Sequence, residues 1–377
     1  MLNIALLYGG RSGEHEVSLQ SARSIIRNLD PERYRPVLIG IDKAGRWYLQ
    51  PDTLVEEVRR KDVSLSIIAD QSRLIAIHPA AGLSVNGAFL PVDVVFPVLH
   101  GTFGEDGTVQ GLLEMADLPY VGAGVLGSAV GMDKEISKRV WQTAELPVTP
   151  YIAVRRSTLG DLSDKALASL SRQARERFAY PMFVKPACAG SSVGVSCVED
   201  RRQFHDAVRT ALRFGSKLLL EPAIKGQEIE CSVVGNASVT AYAPGEIIPS
   251  HRFYDYDAKY RDPDGALLQI PARLSGGEAA EIRRIAAAAH LAVGVEGMSR
   301  VDFLVSDPER TIYINEINTI PGFTRISMFP RMCEAAGVGY RKLLTMLIEL
   351  GEQRYREEQL LSFDYSEPDK LGGLAGS

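Results

Sequence analysis

Cysteine is scarce in this chain, with four in 377 residues. Cys188, Cys197, Cys231 and Cys333 are scattered along the sequence. That spacing excludes a disulfide framework and the paired ligands of a structural metal site, and it suits a reducing cytosol. Basic charge is not in surplus either. A formal net charge of −5, with both signs mixed along the chain, gives no footprint for nucleic acid. No apolar run approaches the ~18 residues of a membrane span. The opening "MLNIALLYGG" lacks the basic stretch that precedes the apolar core of a secretion signal. The expectation is a cytoplasmic protein with no nucleic-acid or membrane partner. Its length exceeds the size at which one core stops growing, so two or three domains are expected.

What is present is ordered alternation. "NIALLYGG", "RPVLIGID" and "VDVVFPVLH" read as strands, each nearly continuous in apolar residues, as buried parallel strands are. "EVSLQSARSIIRNL" and "GTVQGLLEMADL" carry helical spacing. An α/β domain is expected to about residue 130. Beyond it, helices over 163–178 and 199–213 alternate with "YPMFVKP", "GVSCV" and "KLLLEPA". "QEIECSVVGN", "SVTAYAPGEI", "SRVDFLVS" and "TIYINEIN" then suggest an antiparallel sheet. One strong helix interrupts it, opened by a capping box of Ser275 and Glu278.

Four clusters could carry chemistry. "LLYGGRSGEHEVS" puts glycines between strand and helix, beside Glu14, without the spacing of a dinucleotide fingerprint; a plain strand-to-helix turn is the alternative. "HGTFGEDGTVQG" sets His100 at the carboxyl end of a strand, where α/β sheets collect ligands, with Asp106 expected to cap the next helix. "FVKPACAGSSVGV" is strand, glycine-rich turn and strand, able to cover phosphates while Lys185 supplies charge. It is not a Walker A loop, which needs a helix after the turn. "SRVDFLV" and "YINEINTIPG" read as two strands joined by "SDPER". Side chains two apart share a face, so Arg300 and Asp302 point together, as do Glu316 and Asn318. If Arg300 opposes Asn318, then Asp302 opposes Glu316 and all four converge. Two acids and an amide oxygen are hard ligands suited to Mg²⁺, and an arginine suits a phosphate bound through it. A salt-bridged solvent face is the other reading.

"HGTFGEDG", "MDK", "KPACAGSSVGV", "EIECSVVGN", "YDYDAKY", "RVDF" and "NEINTIPGFT" occur in an order and spacing that resembles the D-alanine–D-alanine ligases of the ATP-grasp superfamily, from residue 3 to about 350. The resemblance implies an N-terminal α/β, Rossmann-like domain over 1–133, followed by a two-part ATP-grasp fold. Its central subdomain would span 134–220. Its C-terminal domain would span 221–377, with a lid loop at about 250–270 and a disordered tail at about 362–377. ATP would lie between the last two. It also implies an acyl-phosphate reaction and often a homodimer.

Residue by residue, the resemblance implies that Lys134 and Lys185 hold the ATP phosphates and that Gly190, Ser191 and Ser192 form the turn covering them. Glu221 would receive the adenine amino group and Glu228 the ribose. Pro222 replaces a side chain common there, so backbone groups of Ala223 and Ile224 would complete the adenine contacts. Asp302, Glu316 and Asn318 would bind two Mg²⁺ or Mn²⁺ ions. Arg300 and the N–H of Gly322 would stabilise the tetrahedral intermediate. Glu14 would bind the first D-alanine's ammonium beside His100, and Ser327, with Met328, the second's carboxylate. Within "FYDYDAKY", Lys259 would face phosphate and Tyr260 would face Glu14 and Ser191. The Lys259–Tyr260 pair stands where D-lactate-adding relatives carry histidine, which implies a dipeptide product. D-lactate and D-serine acceptors are the alternatives. A non-catalytic ATP-binding protein would be expected to lack one of Asp302, Glu316, Asn318 or Arg300. A nicotinamide-dependent oxidoreductase would leave the acidic strands without a purpose.

Overall fold

The computed structural model describes residues 1–61, 63–249 and 266–362. The lid segment with Lys259 and Tyr260, and the tail expected to be disordered, lie outside the described residues.

Near the N-terminus, strands Tyr34–Ile41, Leu2–Gly9 and Val94–Val98 pair in parallel, with Trp47–Leu49 antiparallel at the edge. Both faces are covered, which is why these strands carry no polar alternation. One face packs Ile4, Leu6 and Tyr8 against Ile25 of helix His15–Asn28 and Leu347 of the last helix, Tyr340–Glu358. The other packs Ala5 and Leu7 against Leu113 of helix Thr108–Met115. Between residues 75 and 89 lies a three-stranded antiparallel sheet absent from the sequence reading. Its turn is Asn86–Gly87, both at positive φ, a strong hairpin signal that the alternating helix–strand reading passed over.

The next sheet is antiparallel, in the order Ser196–Val198, Met182–Pro186, Lys217–Pro222, Ile152–Arg155. Helices Asp164–Arg177 and Arg201–Ala211 cover it, burying Leu167, Leu170, Phe204 and Val208. The C-terminal sheet is also antiparallel, in the order Ala266–Gln269, Gly245–Pro249, Gly226–Gly235, Met298–Ser306, Ile312–Asn318, with Val239–Ala241 paired to Gly226–Gly235. Helix Gly276–Ala292 packs on it, and the Ser275–Glu278 capping box is present. Helix Lys134–Thr143 belongs to this layer rather than to the sheet that follows it. Its Trp141 is fully buried there and donates Nε1 to the Ala289 carbonyl at 3.0 Å. One end of that helix therefore faces the space between the two sheets, and the site described next lies there.

The cap expected from Asp106 is displaced by one residue. Gly107, with φ +89°, is the N-cap of helix Thr108–Met115. Asp106 instead accepts from the N–H groups of Phe103 and Thr108, closing the glycine-rich turn before the helix.

Candidate active site

In the C-terminal hairpin Arg300 lies opposite Asn318, and Asp302 opposite Glu316. All four meet on one face. Arg300 donates Nε and a terminal nitrogen to the two oxygens of Asp302, each at 2.7 Å, a forked pair. Its Nε also lies 3.2 Å from Glu230, which sits opposite Asp302 on the neighbouring strand. These carboxylates hold the buried guanidinium's pKa well above its ordinary value, against the cost of burial. Asn318 donates its amide N–H to Asp302 at 2.9 Å, and Lys134 lies 3.1 Å from Glu316. The donor set fits a divalent cation: two carboxylates and an amide oxygen sit within one cluster, and the cationic groups on the carboxylates show that positive charge is already wanted there.

Across the cavity, Lys185 reaches Glu221 at 2.7 Å and the Asn315 side-chain oxygen at 3.0 Å. The buried Glu221 also pairs with Lys138 at 3.2 Å, and Lys138 donates to Thr149 at 2.7 Å. Burial pushes the Lys138 ammonium down to about 8, with Glu221 pulling the other way. The Glu221 carboxyl is held below its ordinary value by the two lysines, which overcome its own burial. Lys134, Lys185, Ser191, Glu221, Glu228 and Asp302, with Ser192 and Glu316, line one cavity of ≈ 320 Å³. The Ala223 N–H is committed to the Pro181 carbonyl at 3.1 Å, so any contact it makes to an adenine ring falls to its carbonyl, beside the backbone of Ile224.

At the cavity's end, the turn over residues 190–195 holds Ser191 and Ser192 at positive φ, +47° and +58°, conformations uncommon outside glycine. The Ser191 hydroxyl donates to the Glu14 carboxylate from the N-terminal domain. Glycines make room for that carboxylate: a Cβ on Gly190 would stand 2.8 Å from Glu14 Oε2, and one on Gly101 2.5 Å. Lys134 ties the turn to the hairpin, donating to the Ala189 carbonyl at 2.8 Å while pairing with Glu316.

His100 is buried and bonded at both ring nitrogens. Nδ1 lies 3.0 Å from the Ile320 carbonyl, and Nε2 lies 3.0 Å from Ser21 Oγ, which accepts from the Phe323 N–H. A neutral ring with its proton on Nδ1 satisfies every partner, and burial lowers the His100 pKa accordingly. Glu105 accepts from the N–H groups of Gly101 at 2.8 Å and Ile320 at 3.0 Å. His100 and Glu105 thus grip the loop that carries Gly322. Ser327 Oγ accepts from the Thr324 N–H at 3.0 Å, and a Cβ on Gly322 would stand 2.7 Å from that oxygen. The Met328 side chain is buried in the core against Gly245, so what it can offer a ligand is its backbone N–H at the start of helix Met328–Ala335.

Two family models match the chain, D-ala D-ala ligase N-terminus over residues 3–123 and D-ala D-ala ligase C-terminus over residues 140–349. The D-alanine–D-alanine ligase of Treponema denticola is 48% identical over 96% of this chain and 98% of its own length. That of Solibacter usitatus is 46% identical over 96% and 99%. The chain belongs to the D-alanine–D-alanine ligase family. Its members are ATP-dependent ligases on the ATP-grasp fold, and so is this one. Among solved structures of the family, the D-alanine–D-alanine ligase from Coxiella burnetii superposes with a TM-score of 0.78 at 38% identity, covering 95% of this chain and 96% of that one. The VanG D-Ala:D-Ser ligase from Enterococcus faecalis gives 0.79 at 31% identity, covering 93% and 99%.

Several residues built into this cluster were not singled out from the sequence. Lys138 follows Lys134 by four residues on one helix, which puts both on one face. Glu230 follows Glu228 by two residues on one strand. Those spacings were available as signals. Ser21, Glu105 and Asn315 had none, because each acts through a partner distant in sequence.

Proposed function

We propose that this ligase joins two D-alanine molecules into D-alanyl-D-alanine at the expense of ATP, for peptidoglycan synthesis in the cytoplasm. The observation that carries the reading is the meeting of Glu14 with Ser191 at the end of the lysine-lined cavity. It sets an acid suited to an amino acid's ammonium directly beside a turn suited to phosphate.

In this reading Lys134 and Lys185 hold the phosphates of ATP under the Gly190–Ser191–Ser192 turn, while Glu221, Ala223, Ile224 and Glu228 hold adenine and ribose. Glu14 fixes the first D-alanine. The carboxylate oxygen of that D-alanine bonds to the γ-phosphorus, ADP departs, and D-alanyl phosphate remains. Phosphoryl transfer of this kind depends chiefly on positioning and charge neutralisation. Ser327 and the backbone of Met328 hold the second D-alanine's carboxylate. Its amine attacks the acyl carbon, phosphate leaves, and the amine gives up a proton. Arg300 and the Gly322 N–H face the oxygen on which charge develops. Asp302, Glu316 and Asn318 would hold two Mg²⁺ or Mn²⁺ ions, whose chemistry is to neutralise phosphate charge. His100 supports the first subsite from behind, through the loop it grips. Lys259 and Tyr260 set the acceptor, and the protein works as a homodimer.

Purified protein incubated with ATP, Mg²⁺ and D-alanine should release phosphate and yield D-alanyl-D-alanine by mass. The absence of D-alanine-dependent phosphate refutes the reading. A D-lactate or D-serine product formed in preference when those acceptors are added refutes the acceptor assignment alone. Glu316→Ala should abolish turnover, and a near-normal rate would remove Glu316 from the metal site.

A further inference from the structure

The hairpin that carries Asp302 and Glu316 is not regular. Arg300, Val301 and Asp302 oppose Asn318, Ile317 and Glu316, but the next pair is Phe303 with Ile314. Asn315 is the extra residue of a β-bulge and has no opposite number. Regular alternation would set Asn315 on the face opposite Glu316. A bulge breaks that alternation and re-aims a side chain. The burial pattern records the break: Ile314 and Ile317, three apart, both enter the core beneath the sheet. Asn315 and Glu316, adjacent in sequence, both line the nucleotide cavity.

What the bulge delivers is specific. The Asn315 side-chain oxygen accepts from the Lys185 ammonium at 3.0 Å, while Glu221 takes the same nitrogen at 2.7 Å from the other side. Lys185, next to last in its strand, carries its charge on a long, flexible stem. Without Asn315, the partner left to that ammonium among the described residues is Glu221, which already carries Lys138. An amide oxygen adds a direction without adding a charge. It holds the ammonium from a second side while leaving its positive charge available to an anion.

We propose that Asn315 is a positioning residue for the nucleotide, turned into the cavity by the bulge and acting through Lys185. The inference rests on the reading of this cavity as the ATP site. Three further features follow from it. Leucine branches at the same carbon as asparagine and has no acceptor, so it removes the contact while filling the space. The effect belongs to nucleotide affinity and not to either amino-acid subsite. And the effect disappears when Lys185 is absent.

The test is a double-mutant cycle on the full chain, with ADP binding by calorimetry and the two Michaelis constants as readouts. Asn315→Leu should weaken ADP binding and raise KM for ATP roughly tenfold, the scale of one hydrogen bond to a charged group. KM for D-alanine and the melting temperature should stay nearly unchanged. Lys185→Ala should weaken nucleotide binding more, and Asn315→Leu added to it should cost nothing further. If Asn315→Leu unfolds the protein, Asn315→Ala carries the same expectations. Nucleotide affinity within twofold of the parent in the single variant refutes the inference, as does full additivity in the double variant. A matching rise in both Michaelis constants with a lowered melting temperature makes Asn315 merely structural and also refutes it. If Lys185→Ala leaves ADP binding intact, the ATP-site reading itself falls, which is a separate outcome.

Discussion

Replacing Lys138 by methionine tests the buried charge network most directly. Lys138 is fully buried, and its ammonium is 3.2 Å from Glu221 and 2.7 Å from the Thr149 hydroxyl. Methionine keeps the length and most of the volume of the stem, so the cavity term is small. The hydroxyl of Thr149 keeps its bond to the Ile314 carbonyl at 3.0 Å and is not orphaned. The cost therefore falls on Glu221, a buried carboxylate losing one of two cations. Removing one partner of a buried ion pair costs about 3–5 kcal/mol, and the remaining Lys185 at 2.7 Å puts the expectation at the low end. Lys138→Met should then lose roughly 3 kcal/mol of stability. Urea unfolding followed by the fluorescence of Trp141 reads this well, since that side chain is buried three residues along the same helix. A Trp47→Phe background removes the only other tryptophan. Adding Glu221→Gln should recover much of the loss, because the uncompensated charge is gone. A single-variant cost below about 1 kcal/mol, or a double variant showing the plain sum of both losses, would refute the view that Glu221 is held as an ion by both lysines.

Gly190→Ala places a methyl group 2.8 Å from Glu14 Oε2. KM for D-alanine should rise by roughly tenfold, about 1.4 kcal/mol, and an unaltered KM would mean that Glu14 does not bind this substrate. His290 is buried with Nδ1 2.7 Å from Ser299 Oγ, and burial pushes its pKa down to about 4 from 6.5. Between those values the unfolded chain holds the extra proton, so this contribution is complete above pH 6.5 and is lost as pH falls towards 4. The loss should reach roughly 3 kcal/mol. His290→Gln should flatten stability against pH across that window, and an unchanged profile would refute the assignment.

Where chemistry followed local spacing, the sequence was legible. Strand parity anticipated Arg300, Asp302, Glu316 and Asn318 on one face, and the capping-box pattern marked the start of the helix at Gly276. Parity failed one step further on. An inserted residue leaves no mark in the letters "YINEIN", and only the pairing with Phe303 shows that Asn315 turns inward. Asp106 has the type of a cap, yet the turn needs it for Phe103 and Thr108, and Gly107 supplies the left-handed backbone. Lys138 was not singled out, because its burial is decided by Glu221 and Thr149, which pack on it from outside its own helix. Reading the tail end of the N-terminal region as further alternation hid the hairpin at Asn86–Gly87, where a local signal was overruled by an assumed pattern.

The loop over residues 319–323 comes late in the chain, after the last strand of the C-terminal sheet, but it hangs from the N-terminal domain. His100 and Glu105 hold Ile320, and Ser21 holds the N–H of Phe323. Gly322 is therefore fixed from two ends of the molecule at once. Cutting the chain ahead of that loop would separate Ile320 and Phe323 from the groups that hold them. The C-terminal part expressed alone would leave Gly322 without its anchor and would uncover Leu347, which packs on the N-terminal strands. Insertions should therefore be tolerated far from this loop sooner than beside it.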